Sequence, residues 1–397
     1  MPKFILFDDA RWQQLLPLTF TRPVAEIRLG ILTIAQKWEQ MLGARASYLT
    51  QPYLAEQYPL MRGEINCLIN GGVCPDAALV KRIMNLKMGE ALVQGDVLIA
   101  AFVGDKLPET LELSAFEVDS YTDEVLQVQH LWDIFALNGE ALERDFALLT
   151  KGRRSKPISA TNRVICPERI FIDDGARVEC ATLNATAGPI YIGSEAEVME
   201  GCLVRGGLAL CEHATLKMGA KIYGPTTIGP HCKVGGEVSN SVLLGYSNKA
   251  HDGFLGNSVL GEWCNLGADT NTSNLKNNYA EVKLWNYARQ RFEKTGRQFC
   301  GLIMGDHSKC GINTMFNTGT VVGVAANIFG SGYPRNFIPS FAWGGPAGIE
   351  VHSLGMALGT AAQVFARRGL TLDAPMRSIL EHVFDAENPD KTYTPQA

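Results

Sequence analysis

Eight aliphatic residues recur at every sixth position: Ile192, Val198, Val204, Leu210, Leu216, Ile222, Ile228 and Val234. That period fits neither a helical turn nor a two-residue strand alternation sustained over the whole run. It predicts a parallel β-helix of hexapeptide repeats, in which each turn of short strands stacks on the last. Four residues after each aliphatic stands a small or thin side chain: Ala196, Cys202, Ala214, Ala220, Thr226 and Cys232, with Leu208 the bulky exception. The aliphatic is expected to fill the coil and the small residue to sit at its tight corner. The beat is foreshadowed at Ile172, Ala176 and Val178, resumes at Leu260, Cys264, Leu266 and Thr270, and runs again over residues 304–328. Antiparallel hairpins would need a turn every 8–12 residues and give no reason for a period of six.

The chain of 397 residues is long enough for two or three domains. Residues 1–150 alternate strand-like and helix-like stretches, an α/β pattern. Strands are expected at 4–7 and 66–69 and helices at 29–41 and 77–86. A basic, Gly/Pro-punctuated linker follows at 151–163, read as a solvated connector. The β-helix is assigned to 164–332, with a non-repeating insertion at 273–301 in which residues 285–295 read as a short amphipathic helix or ordered loop. Residues 333–397 are read as a helical cap or buttress, with helices at 352–368 and 375–384.

The net charge of −5 argues against a nucleic-acid partner. No apolar run is long enough to span a membrane. Residues 1–9 lack the pattern of a signal peptide, so a cytoplasmic location is expected. Of ten cysteines, Cys202, Cys232 and Cys264 fall at small corner positions and Cys310 at an aliphatic one, and none forms a C-x-x-C pair. They read as reduced core residues.

Polar residues gather where the six-residue register slips, between Val234 and Leu260. His251 stands beside Gly253 and Gly256, and Asn265 and Asn274 follow. An imidazole, with an ordinary pKa of about 6.5, suits removal of a proton near neutral pH. The asparagines can supply neutral donors and acceptors. Read from the residues alone, stacked asparagines inside a β-solenoid are as well explained as a structural ladder, and a single histidine as a packing residue.

The segment AHDGFLGNSVLGEWCNLGADTNTSNLKNNY (250–279) resembles the acetyltransferase half of the bacterial bifunctional (GlmU-like) family that makes UDP-N-acetylglucosamine. That family joins a glucosamine-1-phosphate N-acetyltransferase to an N-acetylglucosamine-1-phosphate uridylyltransferase. The resemblance implies a left-handed β-helix, assembly as a homotrimer, acetyl-CoA as acyl donor and a sugar phosphate as acceptor. It puts His251 on the general base, Asn265 and Asn274 on substrate contacts, and Glu237 on a sugar contact. The family's tyrosine is Phe254 here, a lysine expected two residues after the glutamate is Ser239, and a glycine of the turn is Asp269. Lys221 and Lys249 are candidates to restore the lost positive charge.

A fainter likeness covers the first third. The run PLTFTRP (17–23), followed by Gly30, resembles a segment of sugar-1-phosphate nucleotidylyltransferases. It implies a nucleoside triphosphate and Mg²⁺, with Arg11, Thr19 and Arg22 as nucleotide contacts and Asp76 as a metal ligand. The glycine-rich phosphate loop is replaced by Asp8 to Gln14, the lysine after Arg-Pro by Val24, and the metal-binding aspartate by Gly72. The leading expectation is therefore acetyl transfer to an amino sugar phosphate. The alternatives are nucleotidyl transfer with the solenoid as scaffold, and an inactive binding or regulatory protein.

Overall fold

The computed structural model describes residues 2–108 and 111–388. The first third forms a mixed six-stranded sheet from β1 (Lys3–Phe7), β2 (Ala46–Leu49), β3 (Asn66–Asn70), β4 (Glu90–Gln94), β5 (Val97–Val103) and β6 (Glu117–Ser120), in the order β2-β1-β3-β5-β4-β6. β1 runs parallel to both neighbours, and β5 is antiparallel to β3 and β4. Helix α1 (Ile34–Leu42) starts five residues later than the hydrophobic pattern implied. Thr33 and Gln36 form a capping box, and the preceding residues turn back so that Arg28 pairs with Thr33. Helix α2 (Ala77–Met84) begins at the Asp76 cap.

The period of six holds in three dimensions. Ile192, Leu210 and Ile228 stack eighteen residues apart on one face. Val198, Leu216 and Val234 do so on the second, and Val204 and Ile222 on the third. All eight, with the small corner residues and Leu208, lie in one buried cluster or its lining, each no more than 2 % exposed. Among the described residues the first face has nine strands, the second ten and the third six, the last continued by the pair Asn271–Thr272 and Met315–Phe316. Where the register slips, Leu243 and Leu260 follow after only fifteen and seventeen residues. The coil is drawn in at those rungs.

Two assignments differ from the sequence reading. The solenoid does not stop at 332: Phe337–Ile338 and Ala342–Gly345 add strands, and Gly348–Val351 folds back antiparallel on the last. Residues 285–295 are no helix but part of a β-hairpin, Lys283–Asn286 against Arg291–Lys294. In the 151–157 linker every residue but Ser155 is exposed. Arg153 pairs with Asp173 at 2.7 Å and lies over the Phe171 ring, so the basic residues adhere to the first coil.

The ten cysteines are free thiols: eight are buried, Cys166 is half-buried and Cys180 is exposed. No helix among the described residues is long and apolar enough to cross a membrane.

The two domains share a core. On the first face the inward row (Leu243, Leu260, Met304, Val322) belongs to the solenoid interior. The outward neighbours Val242, Val259, Ile303 and Val321 join a cluster that includes Phe4, Ile69 and Ile99 of the N-terminal sheet. Lower on the same face, Phe171, Tyr191 and Ala209 pack against Leu142, Phe146 and Leu149 of helix α3 (Asn138–Thr150). Polar ties reinforce the seam. Thr227 donates to the Gly30 carbonyl at 2.7 Å, and Arg28 donates to the Leu244 carbonyl at 3.1 Å.

At the corner between the first and second faces, His213, His231, Tyr246 and Trp263 all adopt left-handed backbone angles, φ 56°, 57°, 53° and 62°. Their rings stack at centroid distances of 4.7, 4.8 and 4.1 Å. Face-to-face packing along the corner offsets the backbone cost of that conformation. Helix α4 (Leu354–Ala366) lays Phe365 on Trp263 at 4.1 Å, and α5 (Ala374–Glu387) sets His382 against Tyr53 of the first domain at 3.9 Å. These helices brace the side of the solenoid.

Candidate functional site

The first domain packs on the outward row of the first face; the second face, with Lys233 and Asn265 exposed, is free of it, and so is the third. Its strands read TLN, LVR, KIY, EVS and FLG, with an aliphatic in the middle and polar or large side chains outward. Lys221, Glu237 and Phe254 stand in register on successive coils. The Tyr223 hydroxyl donates to Glu237 Oε1 at 2.5 Å. That bond to a carboxylate pushes the phenol pKa up.

Two clefts run along this face and meet at Tyr223. One, of about 470 Å³, is lined by Arg205, Lys221 and Glu237. The other, of about 800 Å³, lies between the solenoid, the first domain and the insertion, with Phe254, Asn274 and Arg297 on its walls.

His251 occupies the corner where the second face turns into the third. Its loop lies directly over the preceding coil. A Cβ on Gly236 would come within 2.9 Å of both the Asp252 Cα and the His251 carbonyl, so glycine is required there. Glu237 follows that glycine, and its N–H donates to the Gly253 carbonyl at 3.2 Å. The fold thus brings His251 and Glu237 to one corner on adjacent coils, and the imidazole is exposed. The Phe254 ring folds across Gly256 toward Asn274: a Cβ on Gly256 would meet Phe254 Cζ at 2.5 Å and Asn274 Nδ2 at 2.7 Å. Asp269, where the resembling family has glycine, adopts φ 55°. Asp tolerates that left-handed turn better than most side chains.

Other expected contacts lie elsewhere. Asn265 is on the second face, in register with Asn248 and Lys309. Asn274 is at the far edge of the third face, where its amide donates to Asn257 Oδ1 at 2.8 Å. His251, Asn265 and Asn274 do not converge within one chain. Lys249, expected to offer its charge to a substrate, points into the coil instead. It takes the inward place between Val234 and the Leu266 row, is 2 % exposed, and donates from Nζ to the His251 carbonyl. Burial pushes its pKa down to about 8, with Asp252 and Asp269 acting in the opposite sense.

In the first domain, β1 is followed by β2 on one side and β3 on the other. The crevice beyond the end of β1 is therefore a topological switch point, the usual place for a ligand in such sheets. A cleft of about 560 Å³ opens there, and Arg11 lines it together with Asp8, Asp9 and Asp96. Burial raises the Asp8 pKa to about 6, against hydrogen bonds from Thr50 and the Val24 N–H. The remaining nucleotide candidates are engaged otherwise. Thr19 donates to the Trp12 carbonyl at 2.7 Å. Arg22 is buried in the seam, paired with Asp306 of the solenoid and 3.5 Å from Glu262. Asp76 caps α2, accepting from the Leu79 N–H at 2.8 Å, with Arg144 at 3.8 Å. Among the described residues no group of three His, Cys, Asp or Glu side chains could hold a metal. The set around Asp76 does not fit Mg²⁺.

Residues 4–154 match the sugar nucleotidyl transferase family. A bifunctional GlmU protein of Methanocaldococcus jannaschii is 37% identical over 87 residues, 22% of this chain and 21% of that protein. Over that segment the chain is similar to a GlmU protein. A bifunctional sugar-1-phosphate nucleotidylyltransferase/acetyltransferase of Sulfurisphaera tokodaii is 28% identical over 144 residues, 36% of this chain and 35% of its own. The GlmU protein of Synechococcus elongatus is 23% identical over 233 residues, 52% of this chain and 47% of that one. The matches thus span between about a fifth and a half of these relatives' lengths.

Lys249 yields a stability prediction. Its folded pKa of about 8 lies below the unfolded value of about 10.4. Between those pH values the unfolded chain binds more protons, so stability rises with pH across the window. The contribution is on the order of 2–3 kcal/mol. Lys249→Met should remove that dependence and be the more stable form at pH 7. Urea unfolding of parent and variant at pH 7 and pH 10 measures it; parallel pH profiles would show that no buried ammonium is being titrated.

Proposed function

We propose that this chain is an N-acetyltransferase that acylates the amine of a phosphorylated amino sugar, with acetyl-CoA as donor and His251 as general base. The amine nitrogen attacks the thioester carbonyl and the C–S bond breaks. The proton lost by the nitrogen passes to the imidazole, which hands it to the departing sulfur, so CoA leaves as its thiol and the imidazole returns to its neutral form. The observation that carries the reading is the open third face. An exposed imidazole stands there at a corner shared with Glu237, beside clefts able to hold a sugar and a long acyl carrier. The relatives named above as nucleotidylyltransferase/acetyltransferase proteins support the same chemistry.

The assembly in this reading is a homotrimer, because Asn265 and Asn274 can serve the His251 corner only from neighbouring copies. The first domain then acts mainly as a brace and as one wall of the larger cleft. Its crevice carries Asp8, Asp9 and Asp96 against the single cation Arg11, and among the described residues no group of three metal-ligating side chains stands there to neutralise phosphate charge. Incubating the full chain with acetyl-CoA and glucosamine 1-phosphate should release free thiol and give an acceptor heavier by one acetyl group. Absence of both, over a panel of amino sugar phosphates, would overturn the reading. Light scattering should give about three times the chain mass of 43.3 kDa; a monomer would remove the shared site.

A further inference from the structure

We infer that Arg297, carried by the insertion, binds the anionic group of a phosphorylated sugar in the larger cleft. This rests on the acyl-transfer reading for the identity of the ligand, but not for the site. The cleft holds about 800 Å³ and no aspartate or glutamate lines it. Arg297 is its single cationic side chain, and the guanidinium Nε is buried without a hydrogen-bond partner. The Nε is shielded from solvent and the residue as a whole is half-buried, so an anion in the cleft meets the remainder of the guanidinium, whose charge no ion pair among the described residues offsets.

The opposite wall adds a second attraction for an anion. Gly139, in the first turn of the thirteen-residue helix α3, lines the cleft. That end of a helix carries partial positive charge. Gly139 also lets the helix approach closely, since a Cβ there would come within 2.8 Å of Pro225 on the solenoid.

The rest of the lining suits the sugar. Asn240 and Asn257, both at left-handed corner positions (φ 45° and 48°), stack below Asn274 and present amides. Amides can donate to and accept from hydroxyls. Phe254 supplies a flat apolar surface against which a sugar ring can lie. The Phe254 ring leans over Gly256 toward Asn274, so a ligand seated on it lies against the amides of this cleft. The insertion and the first domain thereby become parts of one acceptor site built on the solenoid.

Phosphate could also arrive on CoA, and calorimetry on the full chain separates the two sources. A charge-assisted hydrogen bond of this kind corresponds to roughly a 10- to 100-fold change in affinity. Arg297→Gln should weaken glucosamine 1-phosphate by about that factor and leave CoA and unphosphorylated glucosamine unchanged. Arg297→Lys should recover part of the loss, and Arg297→Glu should abolish sugar phosphate binding, each variant keeping the parent melting temperature. Unchanged glucosamine 1-phosphate affinity in Arg297→Gln, a loss confined to CoA, or no binding of the sugar phosphate to the parent would each overturn the assignment. Because binding is read without turnover, the site can fail while acetyl transfer stands, and acetyl transfer can fail while the site stands.

Discussion

His251→Ala is expected to lower the turnover of acetyl transfer by about 10²–10⁴, the usual worth of general-base assistance, with little change in the KM for acetyl-CoA. The separation follows from how the residue is held. Its imidazole is exposed, whereas its backbone is fixed from below by Gly236 and from inside the coil by the Lys249 ammonium. Truncating the side chain removes the proton acceptor and leaves the corner in shape. The fold, the oligomer and the affinity for glucosamine 1-phosphate should therefore match the parent. Turnover within a few-fold of the parent would mean that another group takes the proton. Loss of the oligomer would mean that the imidazole is structural.

Arg22→Met is expected to destabilise the chain by about 3–5 kcal/mol, the cost of removing one partner from a buried ion pair. The Asp306 carboxylate would be left at 2 % exposure. Thr21 Oγ1 at 2.7 Å and the Glu262 N–H at 2.9 Å would remain as its donors. Burial already holds the Asp306 pKa above the ordinary carboxylate range, against the pull of Arg22. Denaturant unfolding monitored by tryptophan fluorescence reads the loss. Adding Asp306→Leu should return much of it, because two apolar groups can replace a buried pair at little cost. A double variant as unstable as the single one would show that Arg22 acts through packing rather than charge.

The solenoid was legible because its interior obeys one rule for more than a hundred residues: the aliphatic row Ile192 to Val234 is buried in three dimensions as its spacing required. What covers the solenoid was written less plainly. The first-face strands IFI, IYI, LAL and VLLG are apolar on both sides and buried, as strands covered on two faces are, while the third-face strands LVR and KIY are buried only at their centre. That contrast marks the docked face and the open one, and it is visible only after the strands are sorted by rung. Lys249 shows the limit of likeness between sequences. Near a register slip one residue decides whether a side chain meets water or the core, and spacing alone does not give the rung length. Arg297 carried no motif; it becomes a candidate through the cleft that folding builds around it. Arg22 had the right chemistry for phosphate, but long-range pairing with Asp306, 284 residues away, took it elsewhere.

Stacked-repeat proteins ordinarily come apart rung by rung, since each turn leans only on its neighbours. Here a sheet and the helices α3, α4 and α5 lie against the rungs like a splint. Fraying at either tip must then break contacts with a partner that also grips the middle. Such an arrangement ties the melting of the prism to that of the whole chain, and it holds the corner bearing His251 at a fixed distance from the wall formed by the first domain.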